Sequence, residues 1–147
     1  GRAKVAQRGL AERITLQQAD STALPFADAT FDAVTVAFGV RNFEDLGQGL
    51  HEMLRVLKPG GRLFILEFSK PRRAPMKQLF RFYFHRVMPL VGRSVSRDSA
   101  AYTYLPKSVD AFPEGEAFLA MLRDAGCSDA RARSLTGGIA TLYAARK

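Results

Sequence analysis

This chain of 147 residues has few cysteines and histidines and no long apolar stretch, and each of these features excludes a class of protein. Cys127 is the single cysteine, so no internal disulfide forms, and a reducing, cytoplasmic compartment is the simplest expectation. Together with two histidines, His51 and His85, it does not supply a zinc site. The longest largely apolar stretch, Ala33 to Val40, falls far short of the ~20 residues that span a bilayer. Because the first residues are polar and basic, we expect no signal sequence.

Acidic residues are scarce in one part of the chain. The net charge is +8, from 22 Lys and Arg against 14 Asp and Glu. Between Phe68 and Lys107, nine basic residues stand against a single acid, Asp98, so this segment holds the whole surplus of positive charge and the rest of the chain is neutral.

At this length and with 47% hydrophobic residues, the chain can bury a real core. We therefore treat residues 1–147 as one domain, with residues 70–110 as a basic, substrate- or membrane-facing insert within it.

The order of the apolar segments predicts an α/β fold. Residues 31–38 are mostly apolar and rich in β-branched side chains, which predicts a strand buried on both faces, as in a parallel sheet. Residues 45–57 carry Leu and Met at helical spacing, residues 58–61 predict a turn, and residues 62–68 predict the next strand. Strand, helix and strand in this order predict a βαβ unit with a parallel strand pair.

The flanking segments complete one domain without internal repeats. We predict a helix ending at Gly9, a strand over 13–18, a helix over 76–91, an irregular stretch over 92–112, a helix over 113–125, and strands near 130–134 and 139–144. The helix over 76–91 places Met, Leu, Phe and Tyr on one side and Lys77, Arg81 and His85 on the other.

Polar residues follow the predicted strands, where open parallel sheets bind their ligands. Asp20 could accept a hydrogen bond from an exocyclic amine, or it could cap a turn. Asn42 could be the N-cap of the next helix, whereas the cation of Arg41 is disfavoured near a helix N-terminus and requires another reason. Glu67, an acid at the end of an apolar strand, is expected to pair with a base or to cap a neighbour.

Motifs at these strand ends also match a family pattern. They are Leu24-Pro25-Phe26, Phe31-Asp32, Phe38-Gly39-Val40-Arg41-Asn42, the run from Arg55 to Pro71, Val87-Met88-Pro89, Tyr102-Thr103-Tyr104-Leu105, and the run from Ser134 to Ile139. With these motifs, nearly the whole chain resembles the ubiquinone/menaquinone C-methyltransferase family (UbiE type). The Pro59-Gly60-Gly61 turn is shared in weaker form by many methyltransferases that use S-adenosylmethionine (SAM), whereas the Phe-Gly-x-Arg-Asn element and Glu67-Phe68-Ser69 are more specific.

The resemblance implies a Rossmann-like class I methyltransferase sheet that uses SAM to methylate a ring carbon of a polyprenylated benzoquinol or naphthoquinol. Arg41 and Asn42 would be the catalytic residues, orienting a quinol hydroxyl and favouring its phenolate. Because an arginine stays charged, electrostatic stabilisation is preferred to proton abstraction. The other implied site residues are Asp20, Ser21, Ala37 and Phe38 for the cofactor, and Tyr102 and Tyr104 for the quinol.

Part of the family pattern has no counterpart in this sequence. The family begins with a further strand, a glycine-rich turn and a strand ending in an acid that holds the ribose. We therefore expect an incomplete sheet, with the two missing strands placed between residues 13–18 and 31–38. The exposed strand edge would favour aggregation, and we expect this chain alone to bind SAM weakly or not at all. A non-catalytic remnant that acts as an interaction module, or a methyltransferase for another small molecule, is the alternative.

The basic insert has the composition of a segment that contacts a membrane surface. Residues 70–97 combine a Phe, Leu and Met face with Lys and Arg, as interfacial helices do, which predicts peripheral contact with the inner face of the membrane. The alternative is that the apolar face packs on the sheet or on a second subunit of a homo-oligomer. No nucleic acid partner is expected, because the segment contains no recognisable reader motif.

Overall fold

The computed structural model of the chain describes residues 1–87 and 99–147. Its elements in chain order are α1 (Arg2–Gln7), β1 (Phe31–Ala37), α2 (Leu46–Val56), β2 (Leu57–Phe68), α3 (Met76–Phe82), α4 (Ser99–Ala111), α5 (Glu116–Asp124), β3 (Ser128–Leu135) and β4 (Ala140–Arg146). A π-helical turn, Tyr83–Val87, continues α3, and short 3-10 turns span Val40–Asn42 and Thr136–Gly138. The α/β fold is confirmed. No helix in the described ranges has the length and apolarity needed to cross a bilayer.

The four strands form one mixed sheet in the order β1-β2-β4-β3. β1 and β2 are parallel, with Val36 beside Ile65, and α2 joins them into the predicted βαβ unit. β4 lies antiparallel between β2 and β3. Within the described residues β1 is therefore an edge strand. Its side chains are half-buried or exposed, so the prediction that this strand is buried on both faces is wrong.

The core lies on one face of the sheet, because successive strand residues point to opposite faces. On β2, Leu63, Ile65 and Glu67 are buried on this face, whereas the residues between them are only half-buried. Tyr143 on β4 continues the same buried row beside Ile65. The helices α2 and α5 complete the core with Leu50, Met53, Leu54, Phe118, Leu119 and Leu122.

Two predicted segments differ in type from the structure. Residues 13–18 form no strand, because within the described residues no other strand pairs with them, and they are exposed. In the region predicted to be irregular, α4 occupies residues 99–111 and continues through Pro106, although the proline removes one backbone donor. The helix predicted over 76–91 is present as α3 and its π-helical turn up to Val87; its remainder lies outside the described residues.

The boundaries of the other elements shift by a few residues. β2 begins at Leu57 rather than at residue 62, because the Lys58–Gly61 turn is bonded to the chain end: Gly60 N–H donates to Lys147 O, and Lys147 N–H donates to Gly61 O, both at 3.0 Å. Gly9 and Gly126 follow α1 and α5 with φ of 64° and 102°, so both glycines occupy the predicted helix ends.

Phe43 fixes the short turn before α2 by packing against this helix. A Cβ added at Gly49, in α2, would overlap the Phe43 ring. A Cβ at Gly47, two residues earlier, would lie 3.4 Å from Oδ1 of Asp45, which is ordinary contact. The absence of a side chain at Gly49 therefore allows the turn with Arg41 and Asn42 to approach the helix closely.

We predict that Gly49→Ala lowers the free energy of unfolding by about 1–3 kcal/mol, because overpacking outweighs the gain in helix propensity. Gly47→Ala is the matched control in the same helix and should be neutral or slightly stabilising. Urea denaturation followed by circular dichroism measures both variants, and equal effects would contradict the packing argument.

Candidate functional site

Arg41 and Glu67 form a buried ion pair at the carboxyl ends of β1 and β2. Nη1 of Arg41 lies 2.7 Å from Oε1 of Glu67, and the two side chains are 11% and 0% exposed. The same nitrogen donates to the carbonyl of Phe38 at 2.6 Å, and the Phe68 N–H donates to Glu67 Oε1 at 3.0 Å. The prediction that Glu67 pairs with a base is confirmed, and this pair explains the cation so close to a helix start.

The chain after β1 turns sharply, which places Arg41 over the end of β2. Phe38 adopts a φ of 55°, and the 3-10 turn Val40–Asn42 follows after Gly39. The Arg41 guanidinium lies 5.3 Å from the centre of the Phe68 ring, and the rings of Phe38 and Phe68 are 4.5 Å apart. Aromatic contacts therefore hold the guanidinium in place together with the hydrogen bonds.

Part of the Arg41 guanidinium is not used by the protein. Nε is buried and has no hydrogen-bond partner, and Nη2 makes no hydrogen bond within the described residues. A buried N–H without an acceptor costs about 1–3 kcal/mol. Nε is closed to solvent, so Nη2 is the nitrogen that could donate to an acceptor oxygen on a bound molecule.

Asn42 contacts α4 rather than capping α2. Its Oδ1 accepts a hydrogen bond of 3.0 Å from the hydroxyl of Tyr104, and both residues are exposed. The N-cap of α2 is Asp45, whose Oδ1 accepts from the Gln48 N–H at 2.9 Å, so the alternative that Asn42 is the cap is wrong. Tyr102 belongs to the same helix as Tyr104, but its side chain lies outside the described part of the structure.

Asp20 and Ser21 lie in the loop before β1. The Thr22 N–H and hydroxyl both donate to Oδ1 of Asp20 at 2.8 Å, and these bonds hold the pKa of Asp20 below its ordinary value. The turn-capping alternative is therefore present in the structure. It leaves Oδ2 without a hydrogen bond among the described residues, so this oxygen is available to an amine.

The predicted site residues fall into two groups. Hydrogen bonds join Phe38 to Arg41 and Asn42 to Tyr104, and the two pairs are neighbours because Arg41 and Asn42 are consecutive. Ala37, the last residue of β1, precedes Phe38. Phe38 is 37% exposed, so its ring is accessible from solvent. In the described parts of the chain, no hydrogen bond or ion pair joins the Asp20 loop to this group.

A second charged cluster, which the sequence did not predict, fixes the loop between Asp20 and β1. Arg55 on α2 binds Glu52 and Asp28, both at 2.7 Å, and donates to the carbonyls of Leu24 and Phe26 at 2.9 and 2.8 Å. Glu52 also accepts from the Leu24 N–H at 2.8 Å. The hydrogen bonds from Arg55 and Leu24 lower the pKa of Glu52 to about 2. Only the i,i+3 spacing of Glu52 and Arg55 was a signal in the sequence.

The strand order and the position of the site define the class of fold. Two parallel strands joined by a helix, followed by an antiparallel pair, form part of the Rossmann-like sheet of class I methyltransferases. A solved structure of a SAM-dependent methyltransferase from Aquifex aeolicus shares this fold, with a TM-score of 0.64 and 20% identity over 99% of this chain and 60% of that one.

Sequence comparison defines the family. The model of the ubiE/COQ5 methyltransferase family matches residues 1–147, and the chain belongs to this family. Similar proteins include a demethylmenaquinone methyltransferase from Bacteroides fragilis and a ubiquinone/menaquinone biosynthesis C-methyltransferase UbiE from Geobacter sulfurreducens, each 52% identical over 147 residues. The match covers this whole chain, which spans 60% and 57% of the length of these relatives. The family resemblance is confirmed.

We predict that Glu67→Gln lowers the free energy of unfolding by about 3 kcal/mol, because it leaves the Arg41 guanidinium buried without a counter-charge. Glu116→Gln is the matched control, since it breaks an exposed pair with Arg123 and should cost less than about 1 kcal/mol. Chemical denaturation at neutral pH measures both variants; similar losses would mean that burial does not strengthen the Arg41–Glu67 pair.

A second prediction concerns the pH dependence of stability. The pKa of Glu52 is about 2 in the folded chain against an ordinary value of 4.5, so its carboxylate stabilises the fold fully above pH 4.5. This contribution is lost as the pH falls toward 2. Glu52→Gln should be less stable at neutral pH and should show a shallower loss of unfolding free energy over that interval. Glu44→Gln, which removes an exposed carboxylate without an ion pair in the described residues, should leave the slope unchanged.

Proposed function

We propose that this chain forms part of a SAM-dependent C-methyltransferase that acts on a polyprenylated benzoquinol or naphthoquinol. The family match over residues 1–147 carries the proposal, and the names of both relatives point to a quinone-type substrate. A quinol with a polyprenyl tail resides in the bilayer. We therefore propose that the protein works from the cytoplasm, at the inner face of the membrane.

The residues proposed for SAM offer the kinds of contact that this cofactor needs. Asp20 is an exposed carboxylate, and one of its oxygens makes no hydrogen bond within residues 1–87 and 99–147, which suits the amino group of adenine; Ser21 offers its backbone beside it. The small side chain of Ala37 leaves space at the end of β1, and the exposed Phe38 ring provides an apolar surface. When bound, SAM supplies the methyl group.

Arg41, Asn42 and Tyr104 are proposed to orient the quinol. Tyr104 holds Asn42 through Oδ1, so the side-chain amide N–H of Asn42 remains to donate to a quinol hydroxyl oxygen. Nη2 of Arg41, the residue before Asn42, is a second donor. Both donors stabilise negative charge on that oxygen, and the phenolate form makes the adjacent ring carbon more nucleophilic.

Glu67 determines how Arg41 contributes. A carboxylate 2.7 Å from Nη1 offsets much of the guanidinium charge, so Arg41 acts through directed hydrogen bonds more than as a free cation. Replacing Arg41 would also leave Glu67 buried and unpaired, so a loss of activity in that variant could come from misfolding as well as from the loss of a catalytic contact. Asn42 and Tyr104 are exposed and therefore allow the quinol role to be tested separately.

A chimera tests the proposed activity. This chain replaces the matched 60% of the Bacteroides fragilis relative, and methyl transfer from labelled SAM to a short-tailed demethylmenaquinol and a benzoquinol analogue is measured. We expect a methylated product, with the unaltered relative as the positive control. A folded chimera that binds SAM but methylates neither quinol would contradict the proposal.

In this chimera, Asn42→Ala should lower kcat about a hundredfold and leave the Kd for SAM within about twofold, because it removes a donor to the developing charge. Tyr104→Phe removes only the bond that holds Asn42 and should lower kcat about tenfold. Glu44→Gln, two residues along the chain, should change neither value. A raised Kd for SAM with unchanged kcat in Asn42→Ala would assign Asn42 to the cofactor instead.

A further inference from the structure

A cleft of about 640 Å³ lies on the other side of the β2 end, apart from the residues proposed for SAM and the quinol. It forms where the residues after β2 meet the turn between β3 and β4 and the residues before α5. Its floor includes Ser69 and Thr141, whose hydroxyls are hydrogen-bonded to each other at 2.9 Å. Thr141 on β4 lies opposite Glu67 on β2, and both residues are buried. These two residues therefore separate the cleft from the Arg41 site.

The cleft is lined by cations that have little compensation. Lys70, Arg72 and Arg73 line it, together with one carboxylate, Glu114, which accepts a hydrogen bond from the Lys70 N–H at 2.7 Å. None of the three cations forms an ion pair within the described residues. Elsewhere, ion pairs are formed by Arg41, Arg55, Lys58 and Arg123. The cleft therefore favours an anionic ligand.

The segment that carries these cations is fixed by close packing on glycines. A Cβ on Gly138 would lie 3.1 Å from Cα of Pro71, and a Cβ on Gly115 would lie 3.1 Å from the Arg72 guanidinium. The side chain of Lys70 is also held in place, because its Nζ donates to the Asp110 carbonyl at 3.2 Å. The backbone that carries the cations is thus placed before any ligand binds, which lowers the entropy lost on binding.

An exposed apolar surface on α3 continues from the cleft. Met76, the first residue of α3, lines the cleft, while Leu79 and Phe82 further along expose 59% and 62% of their surface. Lys77 and Arg81 lie on the same helix and make no ion pair among the described residues. Exposed apolar side chains interleaved with cations are typical of helices that lie at a membrane surface.

We propose that the cleft binds the phosphate headgroup of an anionic phospholipid, while Leu79 and Phe82 enter the adjoining acyl region. The phosphate would contact Arg72 and Arg73, whose guanidinium groups match its oxygens. A small free phosphate compound would account for the cations but not for the apolar residues exposed beside them. The proposal rests on the cleft and α3 and does not depend on methyl transfer.

Vesicle co-sedimentation of the full chain tests the proposal. We expect binding to phosphatidylcholine vesicles that contain about one-third phosphatidylglycerol, little binding to pure phosphatidylcholine, and weaker binding as salt is raised. Arg72→Glu with Arg73→Glu should weaken partitioning at least about twenty-five-fold, since each basic residue near an anionic surface contributes a factor of about five. Absence of binding to anionic vesicles at low salt would overturn the proposal.

A matched control separates the cleft from general charge. Arg131→Glu with Arg133→Glu makes the same change of charge on exposed β3 residues that alternate with the cleft residues Ala132 and Ser134. It should weaken partitioning no more than about threefold, and equal losses in both double variants would overturn the cleft as the site. Circular dichroism checks the fold of each variant, and Arg72→Gln with Arg73→Gln replaces the first pair if that pair does not fold.

Two further arms identify the ligand class. Leu79→Ser with Phe82→Ser keeps every charge and should weaken partitioning at least about tenfold, because the apolar contribution is lost. Glycerol 1-phosphate should compete only at millimolar concentration, since it has no acyl chain. Saturable binding of glycerol 1-phosphate or inorganic phosphate at micromolar concentration would overturn the lipid in favour of a small phosphate ligand. None of these measurements uses SAM or a quinol, so their failure leaves the proposed methyl transfer untouched.

Discussion

Burial of the Glu67 carboxylate at the end of β2 is the constraint on which the candidate site depends. A buried charge without a counter-charge is strongly destabilising, and Arg41 is the cation that meets it. The contact requires β1 to run parallel to β2 and the chain to turn sharply at Phe38. The position of Asn42 beside Tyr104 follows from that turn, so the exposed polar residues of the site are placed by an interaction that is itself largely buried.

The end of β2 separates two regions of different chemistry. On one side, the Arg41 guanidinium, the Asn42 amide and the Phe38 ring lie together around a turn. On the other side, the cleft beyond Ser69 is lined by cations that make no ion pair within the described residues, and it continues into exposed apolar residues. Between them, the Ser69 hydroxyl accepts from Thr141 and donates to the Gly138 carbonyl, both at 2.9 Å, so this buried polar boundary is satisfied.

Short-range residue patterns were enough to predict the features that depend mainly on neighbouring residues in the sequence. The apolar run at residues 31–38 and the helical spacing at 45–57 were enough for the βαβ unit, and an acid inside an apolar strand was enough to expect a partner for Glu67. Residues 13–18 were misassigned because a β-prone sequence forms a strand only beside another strand. The Arg55 cluster was missed because it joins residues up to 31 positions apart, which no local spacing reveals.

The position of β1 at the sheet edge has a consequence for the lifetime of the site geometry. Within the described residues, β2 and β4 are held by hydrogen-bond ladders on both sides, whereas β1 has a ladder only with β2. Local opening of β1 therefore breaks fewer hydrogen bonds than opening of the central strands. The amide protons of β1 should exchange with solvent through a local opening that has a lower free energy. Since Phe38 and Arg41 follow directly from this strand, the site persists only as long as the sheet edge stays closed.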